Sequence, residues 1–129
     1  MSLNILVVDD STVVRKMILR SLELSGLPLG DVYHAANGRE GLEALESNWV
    51  DLIFADLNMP VMDGQEMIER IRANPDLADV SIVVVSTEGS ETRIAHLEQL
   101  GTEFIHKPFA PEQIREVVTR RLGITHEQV

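Results

Sequence analysis

Three carboxylates and one ammonium are the residues in this chain best placed to do chemistry. Asp9 and Asp10 close the apolar run Leu3 to Val8, Asp56 closes the run Val50 to Ala55, and Lys107 follows Thr102 to His106. Ser86 and Thr87 close a further run, Ser81 to Val85. Carboxylates packed together around a single lysine repel, and such a cluster either raises a pKa or recruits a cation. Every candidate ligand is a hard oxygen, which favours Mg²⁺ or Ca²⁺ over zinc. A few carboxylates that leave water positions open suit Mg²⁺ better, and suit a metal that must also touch phosphate. A carboxylate oxygen in that setting can attack phosphorus and form an aspartyl phosphate. The charge developing on the phosphoryl oxygens then needs compensation, with metal and Lys107 supplying charge and Ser86 a hydroxyl donor. Lys16 and Lys107 are the only lysines in the chain, so a lysine at this place is less readily an accident.

These residues are far apart in sequence, so a fold must gather them. Apolar runs alternate with amphipathic stretches along the whole chain. Strands are predicted at Leu3 to Val8, Asp31 to Ala36, Val50 to Ala55, Ser81 to Val85 and Thr102 to His106. Helices are predicted between and after them. Ser11 to Leu24 carries Val14, Met17, Ile18, Ser21 and Leu22 at helical spacing. Asn37-Gly38-Arg39-Glu40 and Asp63-Gly64-Gln65-Glu66 read as capping boxes, opening helices that run to about Ser47 and to Asn74-Pro75. Ser90 to Leu100 stops at Gly101, and Pro111 opens a last helix that Gly123 caps. Regular βα alternation predicts an α/β fold: a doubly wound, five-stranded parallel sheet with helices on both faces. Ile5 to Val8 and Ile82 to Val85 are continuously apolar, as strands buried on both faces should be. In such sheets ligands bind beyond the carboxyl ends of the strands. Asp9, Asp10, Asp56, Ser86 and Lys107 all stand at those ends.

Composition narrows the function. The chain has 129 residues, 44% of them hydrophobic and 25% charged, which fits one globular domain. A net charge of −10 disfavours binding to nucleic acid or anionic membrane by this domain alone. The absence of cysteine excludes disulfides, thiolate catalysis and cysteine-ligated zinc, and fits a cytoplasmic location. No apolar run reaches the length of a membrane span, and the N-terminus has no secretory pattern.

Val7-Val8-Asp9-Asp10-Ser11, Asp56-Leu57-Asn58-Met59-Pro60 with Asp63-Gly64, Val85-Ser86-Thr87 and Lys107-Pro108-Phe109 together resemble the receiver domain of bacterial response regulators, with CheY-like proteins closest in layout. The resemblance covers residues 3 to 122 and rests on four separated motifs in order. It implies a flavodoxin/CheY-like (βα)5 fold with strand order 2-1-3-4-5, a receiver domain over 1–123 and a polar tail over 124–129. It implies Asp56 as phosphoacceptor, and Mg²⁺ held by Asp10, Asp56 and the backbone carbonyl of Asn58, with Asp9 acting through a metal-bound water. Lys107 would sense the phosphate, with a cis peptide bond to Pro108. Ser86 and Phe104 would be the switch pair, Phe104 lacking the hydroxyl of the tyrosine often found there. Asn58 and Glu88 would tune loss of the phosphoryl group, an amide and a carboxylate resembling fast-decaying receivers. The implied donor is a histidine kinase or phosphotransfer protein. The implied output is a downstream protein target on the 90–122 face, with the domain a monomer or a phosphorylation-dependent dimer. It would be a signalling domain that catalyses only its own phosphorylation and dephosphorylation, not a turnover enzyme.

Blander readings stand beside these. Asp9-Asp10 can cap a helix, Asp56 can sit in a turn, and Ser86 or Thr87 can cap the loop that follows. Phe104 taken alone reads as core. Asp63-Gly64 reads as a cap and tight turn, and Met59 and Met62 as loop cover. Trp49 is expected to be partly buried, and Arg120-Arg121 to complement a helix end. His34, His96, His106 and His126 show no metal-ligand spacing, and His106 is expected to point away from the Phe104 face. The competing functions are an aspartyl-phosphate phosphatase of the dehalogenase type, a flavodoxin-like cofactor carrier and a degenerate receiver used as a scaffold, the last opposed by the intact Asp9, Asp10, Asp56 and Lys107 set. Asn58 stands where the first needs a second acid, and no glycine-rich phosphate loop supports the second.

Overall fold

The computed structural model describes residues 2–123. Strands and helices alternate without exception: β1 (Leu3–Val8), α1 (Thr12–Leu24), β2 (Leu29–Ala35), α2 (Gly38–Ser47), β3 (Leu52–Ala55), α3 (Gly64–Ala73), β4 (Ser81–Ser86), α4 (Glu91–Gln99), β5 (Glu103–His106) and α5 (Pro111–Leu122). The strands form one parallel sheet in the order β2-β1-β3-β4-β5. The expected α/β doubly wound architecture is therefore present. No helix among the described residues is long and apolar enough to cross a membrane.

Side-chain alternation along the central strands divides the core between two faces. Ile5, Val7, Phe54, Val83 and Val85 pack with Ile18 and Leu22 of α1 and Ile114, Val117 and Val118 of α5. Leu6, Val8, Ile53, Ile82 and Val84 pack on the other face with Leu45 of α2, Met67, Ile68 and Ile71 of α3, and Leu97 of α4. Burying each large aliphatic chain contributes about 1.5–3 kcal/mol. The sheet is thus a rigid platform, with its carboxyl ends left free for polar chemistry.

Strand limits differ slightly from the periodic reading because polar groups finish the ladder. β2 starts earlier, at Leu29, which pairs with Leu3 across an irregularity before the regular register resumes at Ile5 and Val32. β3 starts later, because Asp51 is engaged with Asn4: its carboxylate accepts from Asn4 N at 2.9 Å. Thr102 precedes β5, and its hydroxyl donates to Leu97 O at 2.9 Å.

The helix starts are capped, but the two expected boxes are only half formed. Asn37 accepts from Glu40 N at 2.9 Å, while the Glu40 carboxylate accepts from Ala36 N rather than from the cap residue. Asp63 accepts from Glu66 N at 2.8 Å, and the Glu66 carboxylate pairs with Arg70 instead. Two apolar assignments are corrected. Met17 faces solvent, and Trp49 is 75% exposed, its indole N–H donating to Asp51 at 3.1 Å. Trp49 lies in the turn before β3 (Leu52–Ala55), beyond the reach of either core. The polar tail and His126 lie outside the described residues.

Candidate functional site

Backbone pairing continues one residue past the central strands and carries the acids with it. Asp9 N donates to Ala35 O at 3.0 Å, and Asp56 N to Val8 O at 2.9 Å. Asp9 and Asp56 are therefore held side by side as extensions of β1 and β3. Lys107 N donates to Ser86 O at 3.0 Å, which ties the end of β5 to the end of β4. The peptide bond between Lys107 and Pro108 is cis.

One carboxylate oxygen from each of Asp9, Asp10 and Asp56 lies within 4.8 Å of the others, so the cluster could hold a metal ion. Asp9 and Asp56 are buried, whereas Asp10 is exposed. The Lys107 ammonium bridges the buried pair, 2.9 Å from Asp9 Oδ2 and 3.2 Å from Asp56 Oδ2. The remaining oxygens are also engaged: Asp9 Oδ1 accepts from Ser11 N, and Asp56 Oδ1 from Leu57 N, both at 2.8 Å. Burial pushes the Asp9 carboxyl above its ordinary pKa, against the Ser11 N–H and Lys107, which pull it down. Burial pulls Lys107 down, but its hydrogen bonds to Asp9 and Asp56 and their charges outweigh this and hold it above the ordinary lysine value. The ammonium is thus a firmly charged counterion to a crowded, partly desolvated set of acids. This is the electrostatic imbalance a hard cation relieves.

The helix-cap reading of Asp9-Asp10 is corrected, since neither residue caps α1. The Asp9 Oδ1 bond to Ser11 N is a local turn, and Ser11 is itself the cap of α1, accepting from Val14 N at 3.2 Å. Ser86 is fully buried, and its hydroxyl accepts from Glu88 N at 3.2 Å. It therefore closes the β4–α4 turn. Thr87 is exposed and is not the cap of α4; Ser90 is, accepting from Arg93 N at 3.3 Å. Met59 and Met62 pack against the core on the α2–α3 face, as cover for the loop.

Phe104 is not part of the acid cluster. It pairs in register with Val84, two residues before the Ser86–His106 pair, and it packs half-buried against the core on that face. Its ring lies 4.6 Å from that of His106, tilted by 52°. The expectation that His106 points away from Phe104 is corrected: residues two apart in a strand share a face. His106 is nevertheless exposed, and His96 pairs with Glu69 at 3.0 Å. At the C-terminal end of α5, Arg120 pairs with Glu103 at 2.7 Å and Arg121 donates to Gly101 O at 2.6 Å.

Two features of the site escaped the sequence reading. Arg93 in α4 joins Glu88, at 2.5 Å, to Asn58, at 3.2 Å, and so links the loops after β4 and β3. Its hydrogen bond holds the Glu88 carboxyl below its ordinary pKa. The Arg93 to Asn58 hydrogen bond spans 35 positions, for which local spacing gives no signal, whereas the Glu88–Arg93 ion pair lies only five positions apart. The second feature is Val61, which sits at φ 69° on the β3–α3 loop and is 76% exposed. Met62 N donates across it to Pro60 O at 2.7 Å. A β-branched residue in the left-handed region is strained by about 1–2 kcal/mol, and an exposed side chain recovers little of that by packing. Val61→Asn is expected to stabilise the fold by about 1 kcal/mol and raise Tm by roughly 4 °C. A Tm unchanged or lowered in a thermal melt would contradict the assigned strain.

Comparison with known proteins agrees with this geometry. The family model described as the response regulator receiver domain matches residues 5–119. Chemotaxis protein CheY1 of Helicobacter pylori is 32% identical over 123 residues, which cover 94% of this chain and 98% of that protein. Among solved structures, CheY4 of Vibrio cholerae superposes with a TM-score of 0.82 at 31% identity, covering 94% of this chain and 99% of that one. A CheY-like receiver domain from Methanospirillum hungatei gives a TM-score of 0.84 at 26% identity, covering 99% and 97%. Acids gathered at the strand tips of a β2-β1-β3-β4-β5 sheet, and matches spanning nearly the whole chain, lead to one assignment: the chain belongs to the response regulator receiver domains of two-component signalling, in their CheY-like form.

Proposed function

We propose that this domain accepts a phosphoryl group on Asp56 from a phosphohistidine of a histidine kinase or phosphotransfer protein, and that the modification changes its affinity for a downstream protein. The observation that carries the reading is the single cluster of Asp9, Asp10 and Asp56 with Lys107 bound to two of them. An Asp56 carboxylate oxygen forms the new bond to phosphorus. The bond from phosphorus to the donor imidazole nitrogen breaks, and that nitrogen keeps the electron pair. Lys107 meets the charge on the transferred oxygens. Asp10, Asp56 and the Asn58 carbonyl, with Asp9 behind a water, are the groups that would hold Mg²⁺. When bound, Mg²⁺ supplies charge that offsets repulsion between the acids and the incoming phosphoryl group.

Phosphorylation then biases a two-state equilibrium. Ser86 is drawn toward the phosphoryl oxygens, and Phe104, on the same strand face, adjusts to the space released. The α4–β5–α5 face reports the change to the partner. The domain acts as a signalling module rather than a turnover enzyme.

The direct test is incubation of the purified chain with acetyl phosphate and Mg²⁺, read by intact mass. One phosphoryl group per chain is expected, and chelation of the metal should suppress it. Multiple labelling, or labelling indifferent to chelation, would count against the site. Lys107→Ala should separate the two roles of the lysine. In the free protein Lys107 competes with a cation for Asp9 and Asp56, so its removal should tighten Mg²⁺ binding by about 1 kcal/mol, or roughly fivefold. The phosphorylation-dependent change in partner binding should be lost. Equal loss of metal binding and response in titration calorimetry would overturn that division.

A further inference from the structure

The groups flanking Asp56 are tied down by a side chain from another element. Arg93 Nη1 donates to Asn58 Oδ1 at 3.2 Å and to Glu88 Oε1 at 2.5 Å. Glu88 Oε2 accepts from the backbone N–H groups of Gly89 and Ser90 at 3.1 and 3.2 Å. Arg93 is itself anchored, its Nε donating to Gln65 Oε1 at 2.9 Å, and its side chain is only 23% exposed. A planar guanidinium held on one side by α3 presents its donors in a fixed fork. Glu88 Oε2 therefore holds two donors, and Asn58 Oδ1 and Glu88 Oε1 each hold one, which fixes their direction although a lone pair remains on each.

That constraint matters for hydrolysis of an aspartyl phosphate. In this step a water oxygen forms a bond to phosphorus as the bond from phosphorus to the Asp56 oxygen breaks. The carboxylate leaves with the electron pair, and both water protons end on the released inorganic phosphate. The approaching water gains from an acceptor that orients its O–H, and Asn58, two residues after Asp56, and Glu88, two after Ser86, carry side-chain oxygens suited to the task. We propose that Arg93 is a positioning residue that prolongs the phosphorylated state, by keeping the Asn58 and Glu88 oxygens from the attacking water. This rests on Asp56 being the phosphoacceptor. Asn58 and Glu88 alone are the pair expected of a fast-decaying receiver, and the arginine clamp opposes that tendency.

The test is the rate of inorganic phosphate release from the full chain, after loading with acetyl phosphate and Mg²⁺ and removal of excess donor. Arg93→Ala should load to the same stoichiometry and then lose phosphate roughly three- to tenfold faster, the worth of about one hydrogen bond to the water. Arg93→Lys, which keeps a charge but not the fork, should fall between; it is read in place of the alanine variant should that one fail to fold. In a chain carrying both Asn58→Ala and Glu88→Ala, Arg93→Ala should have no further effect. A lifetime unchanged or lengthened in Arg93→Ala overturns the clamp while leaving the acceptor in place. The same acceleration persisting without Asn58 and Glu88 also overturns it. Failure of the unmodified chain to load on Asp56 removes the acceptor reading, and the clamp with it.

Discussion

Asp56→Asn is expected to abolish phosphoryl uptake from acetyl phosphate, from one group per chain to none detectable by mass. An amide oxygen carries no formal charge and does not form the mixed anhydride that a carboxylate forms. The substitution is nearly isosteric, so the backbone at the end of β3 stays in place through the Asp56 N to Val8 O bond. Its side effects can be anticipated. The carboxylate of Asp56 accepts from Leu57 N through one oxygen and meets Lys107 with the other, so either orientation of an amide sets one donor against another. That mismatch costs about 1 kcal/mol, and relief of repulsion from Asp9 and Asp10 offsets part of it. Tm should therefore shift by only a few degrees. Mg²⁺ affinity should fall by roughly tenfold, because a charged ligand is lost from the set. Undiminished labelling of the variant would place the acceptor on another residue, and loss of labelling with a collapsed Tm would attribute the result to unfolding instead.

Gly64→Ala is expected to be the most destabilising single methyl that can be added near the site. A Cβ at position 64 would lie 2.0 Å from the carbonyl oxygen of Asp56, 2.9 Å from its carbonyl carbon and 3.0 Å from Leu57 Cα. All three neighbours are backbone, so no side chain can rotate away. The contact is also pinned by Gly64 N, which donates to Leu57 O at 2.9 Å. Relieving the clash must push α3 away from the end of β3, which carries the acceptor. Overpacking of this kind costs about 3 kcal/mol or more, a large share of the roughly 5–15 kcal/mol that holds an ordinary domain together. The urea midpoint should drop accordingly, and the folded fraction should label slowly because Asp56 is displaced. Gly89→Ala is the control: a Cβ there meets nothing within 4 Å, so the change should stay within about 0.5 kcal/mol. Similar midpoints for the two variants would show that the Gly64 approach is not the constraint it is taken to be.

The reason Asp63-Gly64 looked structural in the sequence is thus partly right and partly too local. Asp63 does cap α3, accepting from Glu66 N at 2.8 Å. The glycine beside it is required by a segment several residues upstream, through the close approach to Asp56. The case of Phe104 and His106 differs. Their contact followed from strand periodicity alone and was misassigned to opposite faces. Trp49 shows the opposite limit, since its exposure depends on which elements happen to surround a turn.

The alternation of apolar runs with amphipathic stretches determined the layered α/β architecture, and the residue after each run determined which groups stand at its carboxyl edge. Asp9, Asp10, Asp56, Ser86 and Lys107 were legible for that reason: strand direction and length alone place them. Tertiary structure decided which oxygens Lys107 binds, how Arg93 joins Asn58 to Glu88, and why position 64 admits no side chain. Those contacts link segments whose separation and relative pose are set by helix packing on the sheet. A one-dimensional periodic signal shows which face a residue occupies, but the partner across the gap is chosen only when the elements dock.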